Sequence, residues 1–217
     1  MATVTMLDCI GANVHNIPEG TKKVAGYTTQ IGNNAQIQWS AAQIGRWANV
    51  GFVPVNQDPM LPQVAGVTDI ERGAYTAAQA AGRAKALGGK YQGTYVTQAN
   101  LAVLRQAFDA VGVAGTDVWL ANWNLNEEAA AKLVGEVLSG FTVRAVQWAS
   151  PTSNPDTKVP GSGLTLQQAG IDLSVADEDW FPAPKAAPPV VTAPKPAVVS
   201  VQVTLETADN GKTWKVA

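Results

Sequence analysis

The sequence has few of the residues that build covalent or metal-based sites. Cys9 is the single cysteine and His15 the single histidine among 217 residues. One cysteine excludes an internal disulfide framework and a thiolate metal cluster. One histidine means that a usual zinc site or a Ser–His hydrolase would have to be built around His15 alone. We therefore expect no metal and no cofactor, with Cys9 in the core and His15 in a loop.

Long apolar runs and an excess of positive charge are also missing. No stretch approaches the ~18 apolar residues of a membrane-spanning helix. The N-terminal residues lack a basic region followed by an apolar stretch, so we expect synthesis in a cytoplasm without a signal peptide. Fifteen basic residues against 17 acidic ones give a net charge of −2. This balance argues against nucleic acid and an anionic membrane surface as partners.

What the sequence does contain is enough apolar residues, 46%, for a substantial core. Short apolar runs alternate with helical patterns, which predicts a parallel sheet covered by helices. The predicted strands are Val4–Ile10, Val24–Thr29, Gly51–Val55, Gly66–Ile70, Gly93–Thr97, Val118–Trp123, Val143–Trp148 and Gly170–Val175. The clearest predicted helices are Ser40–Asn49, Thr76–Leu87, Asn100–Val111 and Glu127–Ser139.

Eight predicted strands favour an α/β fold, namely an irregular (β/α)8 TIM-like barrel in which some helices are stunted. A doubly wound open sheet is the alternative, but no glycine-rich phosphate loop follows the first strand. We expect the barrel to span residues 1–180 and a proline-rich linker to span 181–197. Residues 198–217 read as a β-hairpin tail turning at Asp209-Asn210-Gly211, an attachment element by its size.

Acidic residues stand at the strand ends where barrel enzymes carry their chemistry. Asp8 is near the end of the first strand, Asp69 and Glu71 close the fourth, and Asp172 lies in the eighth. Asp69 and Glu71 should share one face, with Cα atoms roughly 6.6 Å apart. Barrel closure makes the first and eighth strands neighbours, which sets Asp8 beside Asp172. Pairing with an arginine such as Arg72, or capping a helix, is the structural alternative for each acid.

Crowded carboxylates cannot all ionise easily, so we expect a raised pKa for at least one of them. We assign that carboxyl and the role of general acid to Glu71. Asp69 would stabilise positive charge that develops on a sugar or on its acetamido group. Asp8 and Asp172 would set the protonation and orientation of the other two.

Aromatic and amide side chains at neighbouring strand ends complete a predicted sugar site. Aromatic faces stack on sugar rings and amides bond hydroxyl groups. The residues in question are Tyr95, Trp123, Gln147 and Trp148.

These pieces together resemble the family 25 glycoside hydrolases, the Chalaropsis-type lysozymes, and still more the glycoside-hydrolase-like domains of phages of actinobacteria. The resemblance covers roughly residues 4–180. Its motifs are Leu7-Asp8, Val24-Ala25-Gly26-Tyr27, Thr68-Asp69-Ile70-Glu71, Gly93-Thr94-Tyr95, Val118-Trp119-Leu120-Ala121-Asn122-Trp123, Ala145-Val146-Gln147-Trp148 and Ile171-Asp172-Leu173-Ser174.

The resemblance implies cleavage of the β-1,4 bond between N-acetylmuramic acid and N-acetylglucosamine in peptidoglycan. It implies Glu71 as acid/base, Asp69 as nucleophile or stabiliser of an oxazolinium-like intermediate, and Asp8 and Asp172 as supporting acids. Tyr27 joins the substrate-binding residues on the same ground. The sequence departs from the family after Asp8, and the end of the third strand does not align.

Three functions follow as alternatives. The first is a muramidase carried by a phage virion, in a minor tail or surface decoration protein, with peptidoglycan as substrate and the C-terminal tail binding other virion proteins. The second is a non-catalytic structural or glycan-binding virion protein on the same barrel. The third is an endolysin. Assembly into a homo-oligomer stays an open alternative for each.

Overall fold

The computed structural model describes residues 1–29, 36–59, 65–71, 75–182, 205–206 and 215–216. By its internal contacts the chain forms two compact units, Met1–Pro184 and Lys185–Ala217. The first unit holds the candidate site.

Eight strands of the first unit close into a barrel, which confirms the predicted α/β class and strand number. Around the barrel, the strands are β1 (Thr3–Cys9), β2 (Lys23–Thr29), β3 (Gly51–Asn56), β4 (Val67–Asp69), β5 (Thr94–Thr97), β6 (Asp117–Ala121), β8 (Phe141–Ala149) and β9 (Asp172–Asp177). A short strand, β7 (Val137–Leu138), pairs only with β8. The other seven barrel strands run parallel to one another, whereas β9 is antiparallel to its two neighbours, β8 and β1.

Helices follow several of the strands. They are α1 (Ala41–Trp47), α2 (Ala77–Leu87), α3 (Leu101–Ala110), α4 (Glu127–Leu133) and α5 (Leu166–Ala169). Thr76 and Asn126 cap α2 and α4, because their side-chain oxygens accept a free backbone N–H of the first turn. The helix expected over Glu127–Ser139 ends early, since Gly135 has a φ of +93° and β7 follows it. None of the described helices is long and apolar enough to cross a membrane.

Side chains alternate between the two faces of each strand, which divides the core into an inner and an outer part. The inner cluster draws on nearly every strand and fills the barrel, with Trp119 and Trp180 as its largest members. Its other fully buried members include Met6, Ala25, Val53, Val67, Ala145 and Ala176. The outer clusters lie between the strands and the helices, and one of them contains Trp39 and Trp47.

The amino-terminal end of the barrel is plugged by the segment that follows β9. Trp180 joins the inner cluster and packs against Phe181 with ring centroids 5.0 Å apart. Lys23, only 2% exposed, donates from Nζ to the main-chain oxygens of Trp180 and Phe181. Phe181, the first residue after the predicted barrel boundary, therefore contacts the barrel through its ring and its carbonyl group.

The second unit contains one short pair of strands. β10 (Leu205–Glu206) pairs antiparallel with β11 (Lys215–Val216), as in a hairpin. The rest of the predicted linker and the Asp209-Asn210-Gly211 turn lie outside the described residues.

Candidate functional site

The structure gathers the acidic residues at the carboxyl-terminal mouth of the barrel. Asp8 and Asp172 are directly paired across β1 and β9. Asp172 is the first residue of β9, which is antiparallel to β1, whereas the sequence pattern predicts a parallel strand. Because β9 is antiparallel, its start lies at the same mouth as the end of β1. The expected neighbourhood of these two acids is therefore correct, although the strand runs the other way.

Asp69 ends β4 and is completely buried. Its Oδ1 accepts the backbone N–H of Glu71 at 2.8 Å, and its Oδ2 accepts Nε2 of Gln57 at 2.8 Å. Hydrogen bonds to both oxygens offset the cost of burying a carboxylate. They also fix its orientation relative to the turn that carries Glu71.

Glu71 stands in the turn after β4, so it is not a strand neighbour of Asp69 as the sequence suggested. Its Oε1 accepts the backbone N–H of Thr97 at 2.6 Å and Nδ2 of Asn100 at 3.4 Å. Both donors come from the end of β5 and the single turn that follows. The carboxylate is thus held between two neighbouring strands while its side chain lines an open cleft.

The cleft at this mouth has a volume of about 550 Å³. Asp8, Glu71 and Asp172 line it, together with four of the predicted substrate-binding residues, Tyr27, Tyr95, Trp123 and Gln147. Asp69 is not part of the surface of the cleft. Trp123 is the most exposed aromatic residue of the site, at 38%. The size and mixed polar and aromatic lining are those of a small-molecule or sugar site.

The carboxylates at the mouth of the barrel affect the pKa values of neighbouring groups. The pKa of Tyr95 is raised well above its ordinary value, first by burial and then by Asp8 and Asp69. The pKa of the Cys9 thiol is raised as well, first by burial and then by Asp8 and Asp172. Burial is the larger cause of both shifts, and the nearby carboxylates add to it. Cys9 is buried and protonated, which fits its predicted place in the core.

Tyr95 belongs to a connected set of side chains that crosses the barrel. Its hydroxyl donates to Oε1 of Gln147 on β8. Its ring lies edge-on to Trp119, with centroids 4.7 Å apart, and Nε1 of Trp119 donates to Oγ of Ser174 at 3.1 Å. Ser174 is the β9 partner of Gln147 in the strand register. The orientation of the Gln147 amide is therefore set from several strands.

Trp148 does not line the cleft, contrary to its predicted role. It follows Gln147 directly, so its side chain leaves the strand on the opposite face. Trp148 packs against both outer clusters. Strand alternation alone would have separated these two residues, because they cannot both point into the barrel.

Several residues of the site escaped the sequence interpretation. Gln57 follows β3 and binds Asp69, and the signal that it offered was a polar residue at the end of an apolar strand. Asn13, in the 3-10 helix Gly11–Asn16, and the irregular stretch Ser150–Ser153 also line the cleft. No periodic pattern marks such residues, so only the assembled fold brings them in. Among the described residues no group of His, Cys, Asp and Glu is arranged to hold a metal ion.

The chain was compared with known proteins in three ways. A scan against protein-family models, a search of curated proteins and a search of solved structures each found no match.

Proposed function

We propose that the first unit is a glycoside hydrolase of the muramidase type, acting on the β-1,4 bond between N-acetylmuramic acid and N-acetylglucosamine. We propose further that its architecture is an irregular (β/α)8 TIM-like barrel. One observation carries the proposal: Asp8, Glu71 and Asp172 line a single open cleft, and Asp69 is buried beside Glu71. Paired acids on either side of a sugar bond are the usual machinery of glycoside hydrolysis.

Glu71 is the proposed general acid and base. Its described hydrogen bonds fall on Oε1, which anchors the carboxyl group to Thr97 and Asn100. Oε2 is then the oxygen that exchanges a proton with the glycosidic oxygen of the substrate. An anchored carboxyl group is already oriented toward the glycosidic oxygen, so little freedom is lost when it transfers the proton. This preorganisation is the main contribution of positioning to acid–base catalysis.

Asp69 is the proposed electrostatic stabiliser. Its burial and its bonds to Gln57 and to the backbone of Glu71 favour this role over direct attack on the sugar. A fixed negative charge close to the cleft stabilises an oxocarbenium-like or oxazolinium-like species as it forms. Asp8 and Asp172 keep the potential of the cleft negative throughout.

Trp123, Tyr27 and Tyr95 supply aromatic surface for sugar rings along the cleft. Peptidoglycan is the proposed partner of this surface. The C-terminal tail is the proposed contact to other virion proteins, with the phage virion as location.

A glycan-binding module without turnover is the second candidate, and one observation favours it. Both oxygens of Asp69 and one of Glu71 are already engaged by the protein. If those bonds persist with a glycan in the cleft, the acids serve as a rigid wall and not as reagents.

The test is the release of reducing ends from purified peptidoglycan by the full chain and by Glu71→Gln. Glu128→Gln is the matched control, because Glu128 lies exposed on α4, accepts from Nζ of Lys132 at 2.7 Å and does not line the cleft. The hydrolase proposal expects release by the wild type and the control alone. Binding of peptidoglycan with no release from several wall types would favour the second candidate. Presence or absence of the chain in purified virions separates a virion protein from an endolysin.

A further inference from the structure

The amide of Gln147 presents an unused donor to the cleft. Gln147 is 3% exposed, and its Oε1 accepts the Tyr95 hydroxyl. Its Nε2 makes no hydrogen bond to any residue that the structure describes. Nε2 is not fully enclosed by protein atoms, so it is accessible from the cleft that Gln147 lines.

The groups around Nε2 of Gln147 indicate which group of a ligand it would bind. Asp172 lies on β9, which pairs with β8, and Asp8 lies opposite Asp172 on β1; carboxylate oxygens accept hydrogen bonds. Gln147 therefore offers an amide donor among acceptors. A hydroxyl group both donates and accepts, so the carboxylates can bind it without Gln147. The carbonyl oxygen of an acetamido group only accepts, so it needs a donor such as Nε2.

We propose that Gln147 is the specificity-determining donor of the cleft, which binds the acetamido carbonyl of an N-acetylated sugar, and that Tyr95 is the positioning residue for its amide. The inference rests on the proposed function, since it assumes a glycan in this cleft. Tyr95 acts by occupying Oε1, which turns Nε2 toward the ligand. The edge contact with Trp119, itself bonded to Ser174, keeps the Tyr95 ring from turning away.

The experiment is a double-mutant cycle on the full chain in a Glu71→Gln background, which prevents turnover of the probe. The variants are Tyr95→Phe, Gln147→Met and the two together. Calorimetry measures their binding to the tetramer of N-acetylglucosamine and to the corresponding tetramer of glucosamine. Each of the two substitutions removes one side of the hydrogen bond while conserving the volume of the side chain.

For the acetylated tetramer we expect Gln147→Met to bind about tenfold more weakly, the value of one good hydrogen bond. Tyr95→Phe should lose several-fold. The double variant should bind no more weakly than Gln147→Met, because the hydroxyl has nothing left to position. Binding of the glucosamine tetramer should be the same in all variants. Tyr91→Phe is the matched control: it removes a buried hydroxyl bonded to Thr94 in the outer cluster and should leave both affinities unchanged.

Additive losses would overturn the inference, because they would mean that Tyr95 acts by packing and not through Gln147. Equal losses for the two tetramers would overturn the acetamido assignment, and so would failure of the background protein to bind the acetylated tetramer. The peptidoglycan assay distinguishes this from the proposed function. Coupled binding without release by the wild type would remove the hydrolase and keep the inference, whereas release without coupling would do the reverse.

Discussion

The two ends of the barrel treat their charged groups in opposite ways. At the amino-terminal end Lys23 is buried and bonded to the carbonyls of Trp180 and Phe181. Nearby, Arg144 pairs with Asp117 at 2.9 Å and with Asp177 at 2.7 Å. Unlike charges and dipoles are matched there, and the plug fills that end of the barrel.

At the carboxyl-terminal mouth, acids of the same sign share one open cleft. Asp8 and Asp172 add to burial, which is the larger cause, in raising the pKa values of Tyr95 and Cys9. Like charges held together cost free energy of folding, and natural proteins tolerate this cost mainly where chemistry or binding needs it. The plugged end therefore pairs its charges, whereas the open end keeps carboxylates of one sign together.

The largest expected effect is at the open end, with Asp69→Asn. The amide can still accept the N–H of Glu71, but its own N–H₂ would face Nε2 of Gln57, which is also a donor. We expect a loss of about 10²-fold or more in turnover, the usual scale for a preorganised charge. Reducing-end release gives the measurement, with Asp109→Asn on the surface of α3 as the control. Unchanged turnover would remove Asp69 from the mechanism.

At the plugged end, Lys23→Met should lower stability and leave the cleft intact. The substitution leaves the carbonyls of Trp180 and Phe181 without their donor, at about 1 to 3 kcal/mol for each buried group. We expect a net loss of about 2 kcal/mol in the free energy of unfolding, because the cost of burying the ammonium group disappears as well. Urea denaturation measures it. An unchanged or raised stability would mean that the plug does not depend on this residue.

A smaller loss is expected from Gly51→Ala, the first residue of β3. A Cβ there would lie 2.9 Å from the carbonyl oxygen of Phe181 and 3.0 Å from Nζ of Lys23. Overpacking of this kind costs about 1 to 2 kcal/mol. Gly45→Ala in α1 is the matched control, since a Cβ there would meet no described atom from outside the helix within 4 Å and alanine favours a helix. Equal stability of the two variants would show that the plug yields without cost.

The smallest effect is the pH dependence of the plugged end. Burial lowers the pKa of Lys23 from its ordinary value of 10.5, opposed by the carboxylates of Asp177, Glu178 and Asp179. Between the lowered pKa and 10.5 the unfolded chain binds more protons than the folded one, so stability rises with pH in that window. Below the window the contribution is constant.

The measurement is the difference in unfolding free energy between the wild type and Lys23→Met, followed upward from neutral pH. The difference should grow in favour of the wild type toward pH 10.5. Tyr75, Tyr91 and Tyr95 have raised pKa values and act in the opposite direction above their ordinary value of 10.0, but they are present in both proteins and cancel. A difference that shrinks as the pH rises would contradict the direction of the Lys23 shift.

The contrast between strand-borne and loop-borne features explains which parts of the fold could be predicted. Apolar runs and caps marked the strands and most helices, because periodicity and first-turn bonding are local properties. The direction of β9 was not predictable, since alternation along a strand is the same in either direction. The early end of α4 depended on Gly135, whose positive φ is a local cue that the helical pattern around it concealed.

The candidate site was predictable to the extent that it stands on strand ends. Asp8 and Asp172 were expected to meet and do so in the register. The contribution of Gln57, Asn13 and Ser150–Ser153 depends on how the strands assemble. Lys23 was missed because a single lysine in the run Lys23-Val24-Ala25-Gly26-Tyr27 reads as the exposed start of a strand.

The most direct test of the division between the two ends measures two quantities on two variants. The quantities are the rate of reducing-end release from peptidoglycan and the free energy of unfolding, for Glu71→Gln and Lys23→Met beside the wild type. We expect Glu71→Gln to lose reducing-end release while its free energy of unfolding is unchanged. We expect Lys23→Met to have a lower free energy of unfolding while its folded fraction releases reducing ends at the wild-type rate. Release that survives in Glu71→Gln, or none from the wild type on any wall, would contradict these expectations.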